Sequence, residues 1–299
     1  MAEIGWQGNW RFPCCVGNGK RKSILCAAPR SAFADSLNTK QRQDLSAYKI
    51  IGQDRPGRWL VTCDHASNRV PDDISGGDLG IAPDDMARHI AYDVGAAGLA
   101  LELAERLDCP AILSDFSRLV IDANRGEHDP TLVMRLYDGT IIPANRSVDA
   151  GEVERRLAML HRPYHNAYAA MAARQQDTVI VAVHSFTPCL RGRLPRPWDV
   201  GVLYSHLDAR LSVPLIAGLR DLPGLCVGDN EPYDGHLPGD AIDRHALQAG
   251  RHNTLIEVRN DLIADAGTQA DWAALLAPVL ESALVRASQQ LKGDLEWMM

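Results

Sequence analysis

The sequence predicts an α/β fold: a single domain built on a mostly parallel or mixed twisted sheet, with helices on both faces. Three observations predict it. Short apolar, β-branched runs, clearest at residues 178–183, read as strands buried on both sides. Segments with helical periodicity alternate with those runs, the pattern of strand–helix–strand units. The chain has 299 residues, 46% of them hydrophobic, enough for one sizeable core.

Composition excludes several classes. The net charge of -7 argues for solubility and against a general nucleic-acid binder. The seven cysteines, at 14, 15, 26, 63, 109, 189 and 226, are odd in number and contain no CxxC pair. A disulfide framework and a four-cysteine zinc site are therefore not expected, and reduced thiols fit a cytoplasmic protein. No run of eighteen apolar residues suggests a membrane span. Residues 1–45 carry a short basic stretch at 20–22 and a short apolar piece at 24–28, too brief for the core of a signal peptide. They are expected to form a loosely ordered leader ahead of a catalytic domain at 46–299.

Each element has its own signal. Residues 59–63 read as a buried strand and 84–107 as one helix, with Pro83, Asp84 and Asp85 suited to its first turn. Residues 111–114 and the run 117–122 read as strands, and 127–150 as loops. Residues 151–174 form an amphipathic helix that Pro163 should kink or split. Strands follow at 178–183, 200–204, 225–227 and 254–259, and helices at 208–221, 240–249 and 269–291.

Chemistry-bearing residues gather where strands end, the place where open α/β sheets bind ligands. His65 and His184 each follow an apolar run. Neutral imidazole is the commonest metal donor, and a catalytic zinc needs three protein ligands plus an open position. Asn68, three residues after His65, and Asp64 are the candidates for the third. The competing reading is a pair of structural, hydrogen-bonded histidines. The turn at 122–125 ends in Asn124 and Arg125, an amide and a planar fork suited to a carboxylate, and Arg118 could polarise a carbonyl. A plain surface turn would look the same. Glu257 lies inside an apolar strand, where burial would raise its pKa toward the range of a general base. The alternative is an ion pair with Arg259. His161 and His165 have i,i+4 spacing but read as a wet helix surface, and no GxSxG elbow surrounds Ser67 or Ser185.

Five segments resemble the N-formylglutamate amidohydrolase family: residues 63–71 (CDHASNRVP), 117–125 (SRLVIDANR), 184–188 (HSFTP), 228–233 (GDNEPY) and 256–261 (IEVRND). That family is similar, more distantly, to the zinc carboxypeptidases and to the aspartoacylase and succinylglutamate desuccinylase enzymes. The resemblance implies a zinc-carboxypeptidase-like fold and Zn2+ on His65 and His184. It implies Arg118 at the scissile carbonyl, Glu257 as general base, and Asn124 and Arg125 on a substrate carboxylate. Ser67 and Arg259 complete the expected substrate-binding set. The HxxE turn of those relatives here ends in Asn68, which leaves Asn68 or Asp64 as third ligand. The implied substrate is a small anionic N-acyl amino acid, N-formyl-L-glutamate above all, split to formate and glutamate in histidine breakdown. A non-catalytic binding protein with a degenerate metal site and a peptide or peptidoglycan amidase are the alternatives.

Overall fold

Residues 46–297 are described by the computed structural model of the chain; the expected leader at 1–45 lies outside the described residues. The central sheet has seven strands: β1 (Tyr48–Ile51), β2 (Trp59–Cys63), β3 (Ala111–Ser114), β6 (Val179–Phe186), β7 (Val200–Leu203), β8 (Val227–Asp229) and β9 (Asn253–Arg259). A separate hairpin pairs β4 (Leu136–Tyr137) with β5 (Thr140–Ile141). The sheet order is β1-β3-β2-β6-β9-β7-β8. The four middle strands run parallel, β1 is antiparallel to β3, and β7 is antiparallel to β9. The sheet is thus mixed, within the class expected.

Both faces of the sheet are covered, which is why β2 and β6 are buried at every position. One face packs on α2 (Ala96–Arg106), α5 (Ser212–Arg220) and α7 (Ala266–Trp297). Val179, Val181 and Val183 of β6 and Ile256 and Val258 of β9 point into that core. The other face packs on Tyr164, Tyr168 and Met171 of α4 (Arg162–Ala172), and receives Ile180, Ala182 and Leu255. Side chains alternate along a strand. His184 therefore continues the row of Ile180 and Ala182, and Glu257 the row of Leu255. The parallel register sets His184 directly beside Glu257.

Three expectations are corrected. The helix at 84–107 is broken into α1 (Pro83–Met86) and α2, with an irregular stretch between them. The break is enforced at Gly95, at φ 80°, where a Cβ would stand 2.2 Å from the carbonyl oxygen of Ile263. The run 117–122 is a buried turn: the Ser117 hydroxyl accepts from the Leu119 amide and Asp122 from that of Asn124, so the backbone finds local partners. The loop at 127–150 contains the β4–β5 hairpin, closed by Asp138 and Gly139, both at positive φ. The helix at 151–174 is split, as expected, into α3 (Ala150–Arg156), capped by Asp149, then a π-helical turn (Leu157–His161), then α4. Pro163 falls in the first turn of α4, where its missing N–H costs nothing.

The lead-in at 46–58, read without a strand, contains β1, and the other segments differ mainly at their ends. The 240–249 segment is α6 (Ala241–His245) followed by a short 3₁₀ turn. Among the described residues no helix is long and apolar enough to cross a membrane.

Gly95→Ala is expected to destabilise the protein by more than ~1 kcal/mol, because it adds both a clash and an unfavourable φ. Urea unfolding against wild type checks this; an unchanged midpoint would show that the turn tolerates a side chain.

Candidate active site

The carboxyl ends of β2, β6 and β9 open into a cleft of about 220 Å³. His65 follows β2, His184 lies near the end of β6 and Glu257 near the end of β9. A fourth residue joins them from the stretch ahead of α2. Asp93 turns inward because Gly95 breaks the helix, and its backbone amide is held by the carbonyl of His65 at 2.9 Å.

Asp93 Oδ2 stands 2.8 Å from His184 Nδ1 and 3.4 Å from His65 Nδ1. One donor atom from each of these three buried residues lies within 4.8 Å of the others, a group able to hold a metal ion. The outer nitrogens of both rings also face carboxylates. His65 Nε2 is 2.7 Å from Asp122 Oδ1. His184 Nε2 is 3.4 Å from Asp64 Oδ2 without hydrogen-bond alignment. Asp64 is in turn held by the Tyr164 hydroxyl. Imidazoles backed in this way are oriented for metal ligation through the inner nitrogen.

The electrostatics ask for a cation. Asp64, Asp93, Asp122 and Glu257 are all at least nine-tenths buried, against one comparably buried guanidinium in the cluster, Arg118. Arg118 reaches Asp122 Oδ2 at 3.0 Å and Asp93 Oδ1 at 3.4 Å. Burial would raise the Asp93 carboxyl, but the imidazoles of His65 and His184 outweigh it and hold the pKa well below the usual range. Burial likewise opposes the low pKa of Asp122, which Arg118 and His65 impose. Burial would discharge His184, yet Asp64 and Asp93 hold its pKa well above that of ordinary histidine. Positive charge is thus drawn to the position between these side chains. Glu257 is different: burial pushes its pKa up to about 7, and the nearby Asp93 charge adds to this, while His184 opposes it. Glu257 Oε2 and Arg118 Nε are both buried without a protein partner.

The opposite wall is the 122–125 turn. Asn124 Oδ1 accepts from the Ala241 amide at 3.2 Å, which leaves its amide nitrogen to donate. Arg125 donates to the Asn124 carbonyl at 2.9 Å and to Thr131 Oγ1 at 3.3 Å, both neutral partners. This turn is supported from behind by His161 Nε2, 2.9 Å from the Arg125 carbonyl, and His165 Nε2, 3.0 Å from that of Ala123. The expected wet surface for these two histidines is corrected: both are buried, and His165 also bonds His245 at 2.8 Å. Their spacing matches that of Leu157, Tyr164 and Tyr168 on the inner face of the helix, the signal that could have revealed them.

Six sequence candidates border this one cleft: His65, Arg118, Asn124, Arg125, His184 and Glu257. The others stand elsewhere. Asn68 is exposed and donates to the Met86 carbonyl at 2.9 Å. Asp64 sits on the outer side of His184. The carboxylate that groups with His65 and His184 is that of Asp93, which an uninterrupted helix at 84–107 would have hidden. Ser67 accepts from the Arg69 amide within its own turn. Arg259 pairs with Asp261 at 2.8 Å and Asp199 at 3.2 Å, so it neither lines the cleft nor neutralises Glu257.

The site thus combines a mixed α/β sheet, a metal-capable His-Asp-His group at its strand ends and the stretch ahead of α2, and a buried carboxylate. The family model of N-formylglutamate amidohydrolase matches residues 57–264. The chain belongs to that family of hydrolases acting on amides. Among solved structures it is similar to gene product Atu2144 from Agrobacterium tumefaciens, at 34% identity and TM-score 0.74, covering 80% of this chain and 95% of that one. It is also similar to an N-formylglutamate amidohydrolase from Ralstonia eutropha JMP134, at 20% identity and TM-score 0.62, covering 79% and 98%; that likeness shows the shared fold. No curated protein matches the chain.

If Asp93 completes the cation site, Asp93→Asn should weaken zinc binding by more than ~100-fold, beyond the ~10–100-fold typical of losing a ligand's outer partner. Asn68→Ala should leave it unchanged. Competitive titration with a chromophoric chelator reads both; the reverse order would restore Asn68 as the third ligand.

Proposed function

We propose that the protein hydrolyses the amide bond of N-formyl-L-glutamate, or of a close N-acyl amino acid, to a carboxylic acid and a free amino acid. The observation that carries this reading is the adjacency of His184 and Glu257 across the β6–β9 register, beside Asp93 and His65 and facing Arg125.

His65, Asp93 and His184 would hold a divalent cation, and two imidazoles with one carboxylate suit zinc. Such an ion, when bound, acts as a Lewis acid and lowers the pKa of a coordinated water toward ~7. The chain's own residues do the rest. Glu257, kept basic enough by burial to have a pKa near 7, takes a proton from the attacking water. The water oxygen bonds to the acyl carbon. The C–N bond then breaks as Glu257 returns its proton to the leaving nitrogen. Arg118, fixed by Asp93 and Asp122, offers its free Nε–H to the oxygen on which negative charge develops. Arg125 and the Asn124 amide receive the amino-acid carboxylate.

Asp93 also bears on the alternative of a degenerate, non-catalytic site. That alternative arose from a neutral third donor at Asn68; the anionic carboxylate of Asp93 beside His65 and His184 supports the catalytic reading instead.

The test is formate release from N-formyl-L-glutamate by purified protein, before and after chelation and zinc restoration. Turnover lost on chelation and regained with zinc is expected; no turnover by folded, zinc-loaded protein would overturn the assignment. Glu257→Gln should lower kcat by ~10²–10⁴-fold with zinc content retained. The base acts only when deprotonated, so kcat/KM should rise with pH through a midpoint at or below about 7, and Glu257→Gln should abolish that limb.

A further inference from the structure

Two guanidiniums near the cleft lack an acidic partner. Arg125 is one. The other, Arg196, packs against three residues that line the cleft, without lining it itself, and has no part in the reaction described above. Its backbone amide donates to the Pro188 carbonyl at 2.8 Å, and its Nη1 to the Thr187 carbonyl at 3.1 Å. The loop after β6 therefore returns Arg196 to the strand end that carries His184. Its guanidinium lies 4.9 Å from the ring centre of Tyr233 and 5.6 Å from that of Phe186. Phe186, Thr187 and Tyr233 all line the cleft.

The platform under Arg196 is fixed. A Cβ at Gly201 would stand 2.0 Å from the carbonyl oxygen of Glu231, so the segment leading to Tyr233 presses directly on β7. Asn230 Oδ1 pins the same loop by accepting from the amides of Tyr204 at 2.9 Å and Gly235 at 3.3 Å. Ring faces orient a guanidinium without neutralising it. Arg88, Arg118 and Arg259 each have an aspartate within reach. Among the described residues, no carboxylate makes such a pair with Arg196, whose protein partners are a carbonyl and two rings. A planar fork held this way, with donors left over, is suited to a carboxylate from outside the protein.

We propose that Arg196 binds the second carboxylate of the substrate and so selects N-acyl dicarboxylic amino acids over neutral ones. This rests on the reading of the cleft as an N-acyl amino-acid hydrolase site, with Arg125 taking the first carboxylate.

The experiment compares N-formyl-L-glutamate with N-formyl-L-glutamine, using zinc-loaded wild type, Arg196→Met and Arg196→Lys. Arg196→Met is expected to raise KM for the glutamate derivative ~10-fold or more with kcat little changed, the signature of lost uniform binding. KM for the glutamine derivative should stay the same, and Arg196→Lys should recover part of the preference. Equal losses on both substrates, or no loss on either, would overturn the proposal. Calorimetric binding of glutarate and butyrate separates this result from failure of the hydrolase reading. Should wild type turn over neither substrate, that reading falls. Glutarate binding weakened by Arg196→Met, with butyrate unaffected, would still uphold the carboxylate site, and unchanged glutarate binding would remove it.

Discussion

Burying carboxylates around one small volume is the constraint on which the site depends. Asp64, Asp93, Asp122 and Glu257 lie away from water around the carboxyl ends of β2, β6 and β9, two of them supplied by the segment before α2 and the 122–125 turn, with Arg118 as the buried guanidinium among them. Desolvated charge of one sign is costly unless it is paired. Part of the pairing is internal, through Arg118 and the two imidazoles. The rest shows in His184, which its surroundings drive toward the charged form despite burial. The same field that would protonate an empty site favours a divalent cation in it.

The fold delivers these groups with little freedom to misplace them. Alternation along β6 and β9 puts His184 and Glu257 on the face covered by α4, and the parallel register makes them neighbours. Tyr164 reaches from α4 to hold Asp64, and His161 and His165 reach from the same helical run to the 122–125 turn. The helix covering that face thus supports both walls of the cleft, the one that carries His184 and Glu257 and the one that carries Arg125. Precise placement of this kind is what proton transfer and carboxylate recognition require.

Much of this was legible in the sequence, for reasons that can be stated. Histidines and a glutamate interrupting apolar, β-branched runs mark strand ends, and the central strands are buried on both faces, so His65, His184 and Glu257 stood out. Asp93 did not. The apolar spacing of Ile90, Val94 and Leu99 runs through it and mimics one continuous helix; only Gly95, two residues on, hinted at a break, and its close approach to Ile263 is a tertiary fact. The run at 117–122 misled in the opposite direction. Its apolar residues are core residues, yet Ser117 and Asp122 turn the backbone back on itself, and burial alone does not distinguish a strand from a buried turn. Asn68 drew attention by its distance from His65, whereas the carboxylate that groups with His65 and His184 comes from a different segment of the chain.

Anomalous diffraction from crystals of the zinc-loaded protein, recorded on both sides of the zinc edge, tests the central claim most directly. A single strong peak among His65 Nδ1, Asp93 and His184 Nδ1, at about 2.0–2.2 Å from each donor atom, is the expected result. A peak bonded to Asn68 or Asp64 in place of Asp93, or none in the cleft, would contradict it.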